Sequence, residues 1–420
     1  MATASTLSEN AGAPGTTSAS SGLLVNLGTS SGESLEATLA NLAVAFTGMT
    51  VDVATSDPAA SQVPATSQLR LIACTPTQPP LGGWELGAAD LVNTCKLMQE
   101  RQSTACLSLG PEAQSLSPET LRSLADAVVS GKADLATPRY SLGPRDGLVT
   151  SAILYPVTRA LFVTRSRYPL SIDLAFSARM ADRLAAGAQK HILTNQPAAL
   201  VWPVAEAAAA GLSIAEVPVG PRALPPPDFT DLNSLLALVA GSFFADIDAK
   251  ASLWQRVRLA YASRPGTAYA EPALTQSVAS EAPDVQPMID AFCLAYTNLH
   301  EIWSLVLPPN SLLGLKRLSL MPAASFRMPD ALWVRIVYDF ILAYRLRTIN
   351  RGHLLGALTP LYLAWVASFL LLTAGTESGP SAPGTHNPNA EGHIEALATA
   401  FEVDKPYLVS RWRWPDRFNP

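Results

Sequence analysis

The charged side chains that could do chemistry gather in residues 138–177, where Arg139, Arg159, Arg165 and Arg167 stand with Asp146 and Asp173. In a chain of 420 residues with only 15% charged positions, such a cluster stands out. Arginine forks match phosphate and carboxylate oxygens two at a time, so one reading is an anion-binding wall. The other is a set of structural ion pairs that fix loops, because such networks also concentrate charge. A second feature is Pro79-Pro80-Leu81-Gly82-Gly83-Trp84, a turn between strand-like and helix-like segments. Its backbone could approach a phosphate, although paired glycines also make plain turns.

Other chemistries have no support in the motifs. No Ser-centred nucleophile elbow, no Gly-rich nucleotide loop ending in Lys-Ser/Thr and no dinucleotide fingerprint is present. Cys74, Cys95, Cys106 and Cys293 form no CxxC pair, and the histidines at 191, 300, 353, 386 and 393 form no HxxxH pair. Spacing of that kind predicts reduced thiols in a cytoplasmic protein rather than a zinc site or a disulfide framework. A net charge of -5 without a long basic run argues against a nucleic-acid partner.

Several elements must position these residues. Residues 23–27, 49–54, 69–74 and 105–109 read as strands, with helices over 35–46 and 88–99 between them. Alternation of this sort predicts an open α/β sheet with its site at the strand C-termini. Beyond residue 288 the period becomes helical, with Met288, Phe292, Tyr296, Leu299 and Trp303, then Trp333, Val337, Phe340 and Tyr344. We therefore expect a disordered tail over 1–22, an α/β domain over 23–259, a linker over 260–287 and a helical domain over 288–420. A flexible Gly/Ser/Pro-rich insertion is expected at 375–392. Residues 354–373 carry no charge and follow Arg345, Arg347 and Arg351, a pattern long enough to span a bilayer.

The central block reads PRYSLGPRDGLVTSAILYPVTRALFVTRSRYPLSIDLAFS. It resembles the bacterial GT-A-fold glycosyltransferases that include glucosyl-3-phosphoglycerate synthase and, more distantly, mannosylglycerate synthase. The closing segment, from Lys405-Pro406-Tyr407 to Arg417-Phe418-Asn419-Pro420, resembles uncharacterised members of the same group. The resemblance implies a nucleotide-sugar domain of Rossmann-like α/β type followed by an all-helical domain. It also implies a UDP- or GDP-hexose donor, a small anionic acceptor such as glycerate or phosphoglycerate, and a dimer held partly by the C-terminal helices. On this reading residues 354–373 form a buried helix of the second domain, and no transmembrane segment is expected.

Carried over by motif, Asp57 falls near the acid that holds the nucleoside, and Gly82 and Gly83 near the Gly-rich turn. Asp146, Gly147, Thr150 and Arg159 fall on the acceptor side together with Arg139, and Asp173 falls near the reacting sugar. The departures lie at the metal. The family holds Mg²⁺ or Mn²⁺ with a D-x-D motif and a downstream His. Here Gly110-Pro111-Glu112 stands on the first, leaving Glu112 alone, and the His position falls at about Leu224. A divalent cation on a diphosphate needs carboxylate oxygens. Without it, Arg139, Arg159, Lys190 or Arg222 would have to balance the charge of the leaving group. Two functions follow as expectations: a metal-independent hexosyltransferase, or an inactive relative that binds a nucleotide, a sugar or a protein.

Overall fold

The computed structural model describes residues 20–28, 32–55, 68–74, 87–143, 146–196, 199–222, 232–256, 284–374 and 388–415. The first part alternates β1 (Ser20–Leu27), α1 (Gly32–Ala45), β2 (Thr50–Thr55), β3 (Leu69–Ala73), α2 (Ala88–Glu100) and β4 (Ala105–Leu109). It continues with α3 (Pro118–Val129), β5 (Leu135–Tyr140), α4 (Tyr155–Phe162), β6 (Leu174–Ser177), α5 (Ala178–Leu193), α6 (Pro203–Ala210) and β7 (Ile214–Gly220). The strands form one seven-stranded sheet in the order β3-β2-β1-β4-β6-β5-β7. All neighbours pair in parallel except β6, which runs antiparallel to both β4 and β5.

Helices cover both faces, which is why β4 is buried at every position and its sequence is apolar almost throughout. One face packs on α1 and α3 through Leu35, Leu39, Leu121 and Leu124. The start of α3 is set locally. Ser117 accepts a hydrogen bond from the Thr120 N–H at 3.3 Å, and Pro118 occupies the first turn, where no helical donor is needed. Chain order reverses between β1 and β4, the position at which open α/β sheets form a crevice. Because β6 is antiparallel, Asp173, just before it, lies at the same sheet end as the C-termini of β4, β5 and β7.

The opposite face shares one continuous core with the helical part. That part comprises α7 (Leu232–Ala249), α8 (Ala251–Trp254), α9 (Gln286–Asn298), α10 (His300–Val306), α11 (Pro309–Ser319), α12 (Asp330–Leu346), α13 (Arg351–Ala374) and α14 (Pro388–Arg413). Helix α7, assigned by sequence to the first domain, packs on α12 and α13. Two ordered stretches shorten the expected irregular regions. Ser20–Gly22 belong to β1, and residues 388–392 begin α14 instead of closing a loop. Gln286 and Pro287, expected in the linker, open α9. Residues 1–19, 257–283 and 375–387 lie outside the described residues. Helices α7 and α13 are both long and apolar enough to cross a membrane, yet 83% of the apolar window of α13 is buried inside the protein.

Three proline-bearing helical segments each have an aromatic donor close to the proline. Proline has no N–H, so the carbonyl four residues back loses its helical donor and the turn loosens. Pro156 follows a π-helical turn over Thr150–Leu154, and the Trp333 indole N–H donates to Ala152 O at 2.8 Å. Beside Pro360 the Trp303 indole donates to Ala357 O at 2.9 Å, and beside Pro406 the Tyr338 hydroxyl donates to Phe401 O at 2.6 Å. Each donor is a buried aromatic, and the first of them meets the very carbonyl that its proline leaves without a helical donor.

Candidate functional site

Asp173 and Arg222 meet at the sheet end beside the β1–β4 crevice. Arg222 Nε donates to Asp173 Oδ2 at 2.9 Å and Nη2 to Oδ1 at 3.1 Å, and neither side chain is exposed. The pair is a bidentate fork, the geometry that suits a guanidinium to a carboxylate. Arg222 also grips the loop after β4: Nη1 donates to Glu112 O at 2.5 Å and to Ser115 Oγ at 3.1 Å, and Nη2 to Pro111 O at 2.6 Å. A guanidinium has five N–H donors, and every one is thereby directed at a protein acceptor.

Asp173 is equally engaged. Its Oδ1 accepts from the Gly110 N–H at 3.1 Å, and its Oδ2 from the Tyr140 hydroxyl at 2.9 Å. The Tyr140 hydroxyl in turn accepts from the Asp173 N–H at 3.2 Å. Burial first, and then the Asp173 charge, hold the Tyr140 phenol well above its ordinary range, so it stays a donor. Glu112 sits in the left-handed region with φ 59°, and its carboxylate accepts from Gln114 Nε2 at 2.6 Å. Ser34, on α1, donates to the same Gln114 side chain at 2.5 Å. Among the described residues, the side chains at this end of the crevice satisfy one another.

This donor set does not fit a divalent cation. Asp173 carries a fixed guanidinium, Glu112 is drawn toward Gln114, and a metal at the loop would face the Arg222 charge. Among the described residues no group of three or more His, Cys, Asp or Glu side chains converges.

The residues expected on the acceptor side meet α14. Arg159 is buried and forks onto Glu402 through Nε at 2.9 Å and Nη2 at 3.2 Å, while its Nη1 reaches Glu395 at 2.5 Å. The Tyr155 hydroxyl donates to the same Glu395 at 2.6 Å. Burial, then the Glu395 charge, push that phenol up. Arg167 donates through Nε to Glu391 at 3.2 Å and through Nη2 to Ser151 at 2.9 Å, and its guanidinium lies near the Tyr155 and Tyr168 rings. Arg139 is partly exposed and lies 3.7 Å from both Glu216 and Glu391. Asp146 accepts from the Gly143 N–H, Gly147 adopts φ 63°, and Thr150 opens the π-helical turn.

Thus Asp173, Arg222 and Glu112 come together, while Arg139 and Arg159 join a separate seam with α14. Asp57, Gly82 and Gly83 lie outside the described residues. Arg167, counted in the arginine cluster from sequence, joins this seam, while Tyr140 and the glutamates at 391, 395 and 402 were not singled out in the sequence. The i, i+4 spacing of Glu391 and Glu395, continued at Glu402, is a one-face signal on α14 that matches the arginines of the central block.

No family model matches the chain, and no curated protein matches it. Among solved structures, the crystal structure of Rv0371c from Mycobacterium tuberculosis H37Rv is similar over 49% of this chain and 91% of that one, with 13% identity and a TM-score of 0.27. At that TM-score the overlap is too loose to define the fold. The chain's own strands do that: a mixed α/β protein with a seven-stranded sheet and a largely helical C-terminal part.

Proposed function

We propose that this protein is a glycosyltransferase-like nucleotide-sugar binder whose transfer centre is closed, so that it binds rather than transfers. The observation that carries this reading is the buried Arg222–Asp173 pair. Transfer would need a cation facing the departing diphosphate. The guanidinium nearest the crevice instead directs its donors at Asp173 and at the backbone after β4. Asp173, the acid the resemblance puts near the reacting sugar, is enclosed by Gly110, Tyr140 and Arg222. The arginines of the acceptor side are likewise neutralised by Glu391, Glu395 and Glu402. What supports nucleotide binding is the doubly wound sheet with its crevice between β1 and β4.

A second reading, a working metal-independent hexosyltransferase, is favoured by the location of the pair at that same crevice. Calorimetry with UDP-glucose, GDP-glucose and GDP-mannose, with and without Mn²⁺, separates the two when combined with a nucleoside diphosphate release assay using glycerate and phosphoglycerate. Donor binding that ignores Mn²⁺, without release, is the expected result. Multiple turnover with either acceptor would overturn the closed-centre reading in favour of the second. No heat with any donor at millimolar concentration would overturn both.

A further inference from the structure

The arginines that precede the apolar run 354–373 make none of the contacts described at the crevice, and the structure brings them together with others at the ends of α8, α12 and α14. Arg345, in the last turn of α12, lies over the Trp412 ring at 4.2 Å and donates to Trp412 O at 2.8 Å. Trp412 meets Trp254 edge to face, with centroids 4.9 Å apart. Next to it on α14, Arg413 Nε donates to Gln255 Oε1 at 3.1 Å, which brings exposed Arg256 to the same face. Arg347 ends α12 in the left-handed region, and Arg351 opens α13 with its guanidinium 4.1 Å from the Tyr344 ring. The ends of α8, α12 and α14 and the start of α13 therefore share a strongly basic surface in a chain whose net charge is -5. Among the described residues, Asp248 is an acid near these arginines, 3.7 Å from Arg345.

Two large exposed apolar side chains are chain neighbours of these arginines: Leu346 lies between Arg345 and Arg347, and Trp414 follows Arg413. Trp414 is 58% exposed and Leu346 is 44% exposed. Cations interleaved with an exposed indole suit the headgroup level of a bilayer, where charge meets anionic phosphate and the ring enters the interface. We propose that this face docks the protein on an anionic lipid bilayer as a peripheral surface. The apolar run behind the arginines stays inside the protein, since α13 buries most of its apolar window. Its flanking charges serve surface attachment in place of a span. Nucleic acid, the other polyanion, fits less well, because an exposed leucine gains nothing from a phosphate backbone.

Co-sedimentation of the full chain with phosphatidylcholine vesicles, with and without phosphatidylglycerol, tests the proposal. We expect binding only when phosphatidylglycerol is present, weakened by added salt. Arg347 and Arg413 are exposed, so the double variant R347A/R413A should keep the parent melting midpoint. It should bind roughly thirtyfold more weakly, the effect of removing two surface charges. Emission should shift to the blue on vesicle binding in the parent, and much less in Trp414→Phe. Absent vesicle binding, equal binding to both vesicle types, or unchanged binding by the double variant would overturn the proposal. Retention on a DNA oligonucleotide without vesicle binding would replace it with a nucleic-acid surface.

Discussion

The Trp333 indole N–H lies 2.8 Å from the carbonyl oxygen of Ala152, the acceptor that Pro156 cannot serve. This one bond ties the break at the start of α4 to the first turn of α12, so the α/β part and the helical part meet at a point where the helix has lost its own donor. Trp333→Phe removes the N–H together with the five-membered ring of a fully buried indole. We expect a loss of at least about 1–3 kcal/mol, the cost of the unsatisfied carbonyl, with the cavity adding to it. Urea unfolding would show it as a lower midpoint at unchanged slope.

The Arg222–Asp173 pair should behave as structure. Asp173→Asn leaves a buried guanidinium without its counter-charge, and breaking such pairs costs about 3–5 kcal/mol. Arg222→Met leaves the converse problem. The double variant Asp173→Asn/Arg222→Met removes both charges and should be more stable than either single one. Thermal melts of the four proteins form the cycle. Independent, additive losses would count against a mutually neutralising pair.

Asp339, on α12, predicts a pH effect. Its Oδ1 accepts from Arg411 and from the Tyr407 hydroxyl, both at 2.7 Å, while Oδ2 has no hydrogen-bond partner. Arg335 and Asp404 are the other charges that act on it. Burial pushes this carboxyl up to about 7 from an ordinary 3.8, against the pull of Arg411. The folded chain then holds the proton more tightly than the unfolded one. Its contribution favours folding at low pH and fades as pH rises from the ordinary value through about 7. Melting midpoints of the parent and of Asp339→Asn should therefore diverge as pH rises across that window, with the variant gaining. A constant difference would show that Asp339 does not titrate there.

The seam between α4 and α14 gives a fourth expectation. Arg159→Ala deprives Glu402 and Glu395 of their shared partner. Glu395 is half exposed, and solvent softens its share of the loss. We expect about 1–3 kcal/mol in total, set by charge-assisted hydrogen bonds. Hydrogen exchange in α14 should accelerate with it, while exchange in β1 and β4 should not.

By itself the sequence determined the local elements. Apolar runs of strand length separated by helical periods placed β1 to β4, and the later switch to a helical period placed α9 and α12, since both signals are carried by residues close in the chain. It also showed that arginines concentrate in residues 138–177. What those arginines do was decided by tertiary structure. Arg159 is 236 residues from Glu395 and 243 from Glu402, and Arg222 is 49 from Asp173, so no local pattern encodes either pairing. The antiparallel insertion of β6 brings Asp173 to the end of β4, and the packing of α14 on α4 turns an apparent anion wall into a neutral seam. A buried charge must find its partner wherever the chain topology delivers one, and that delivery is a property of the whole fold.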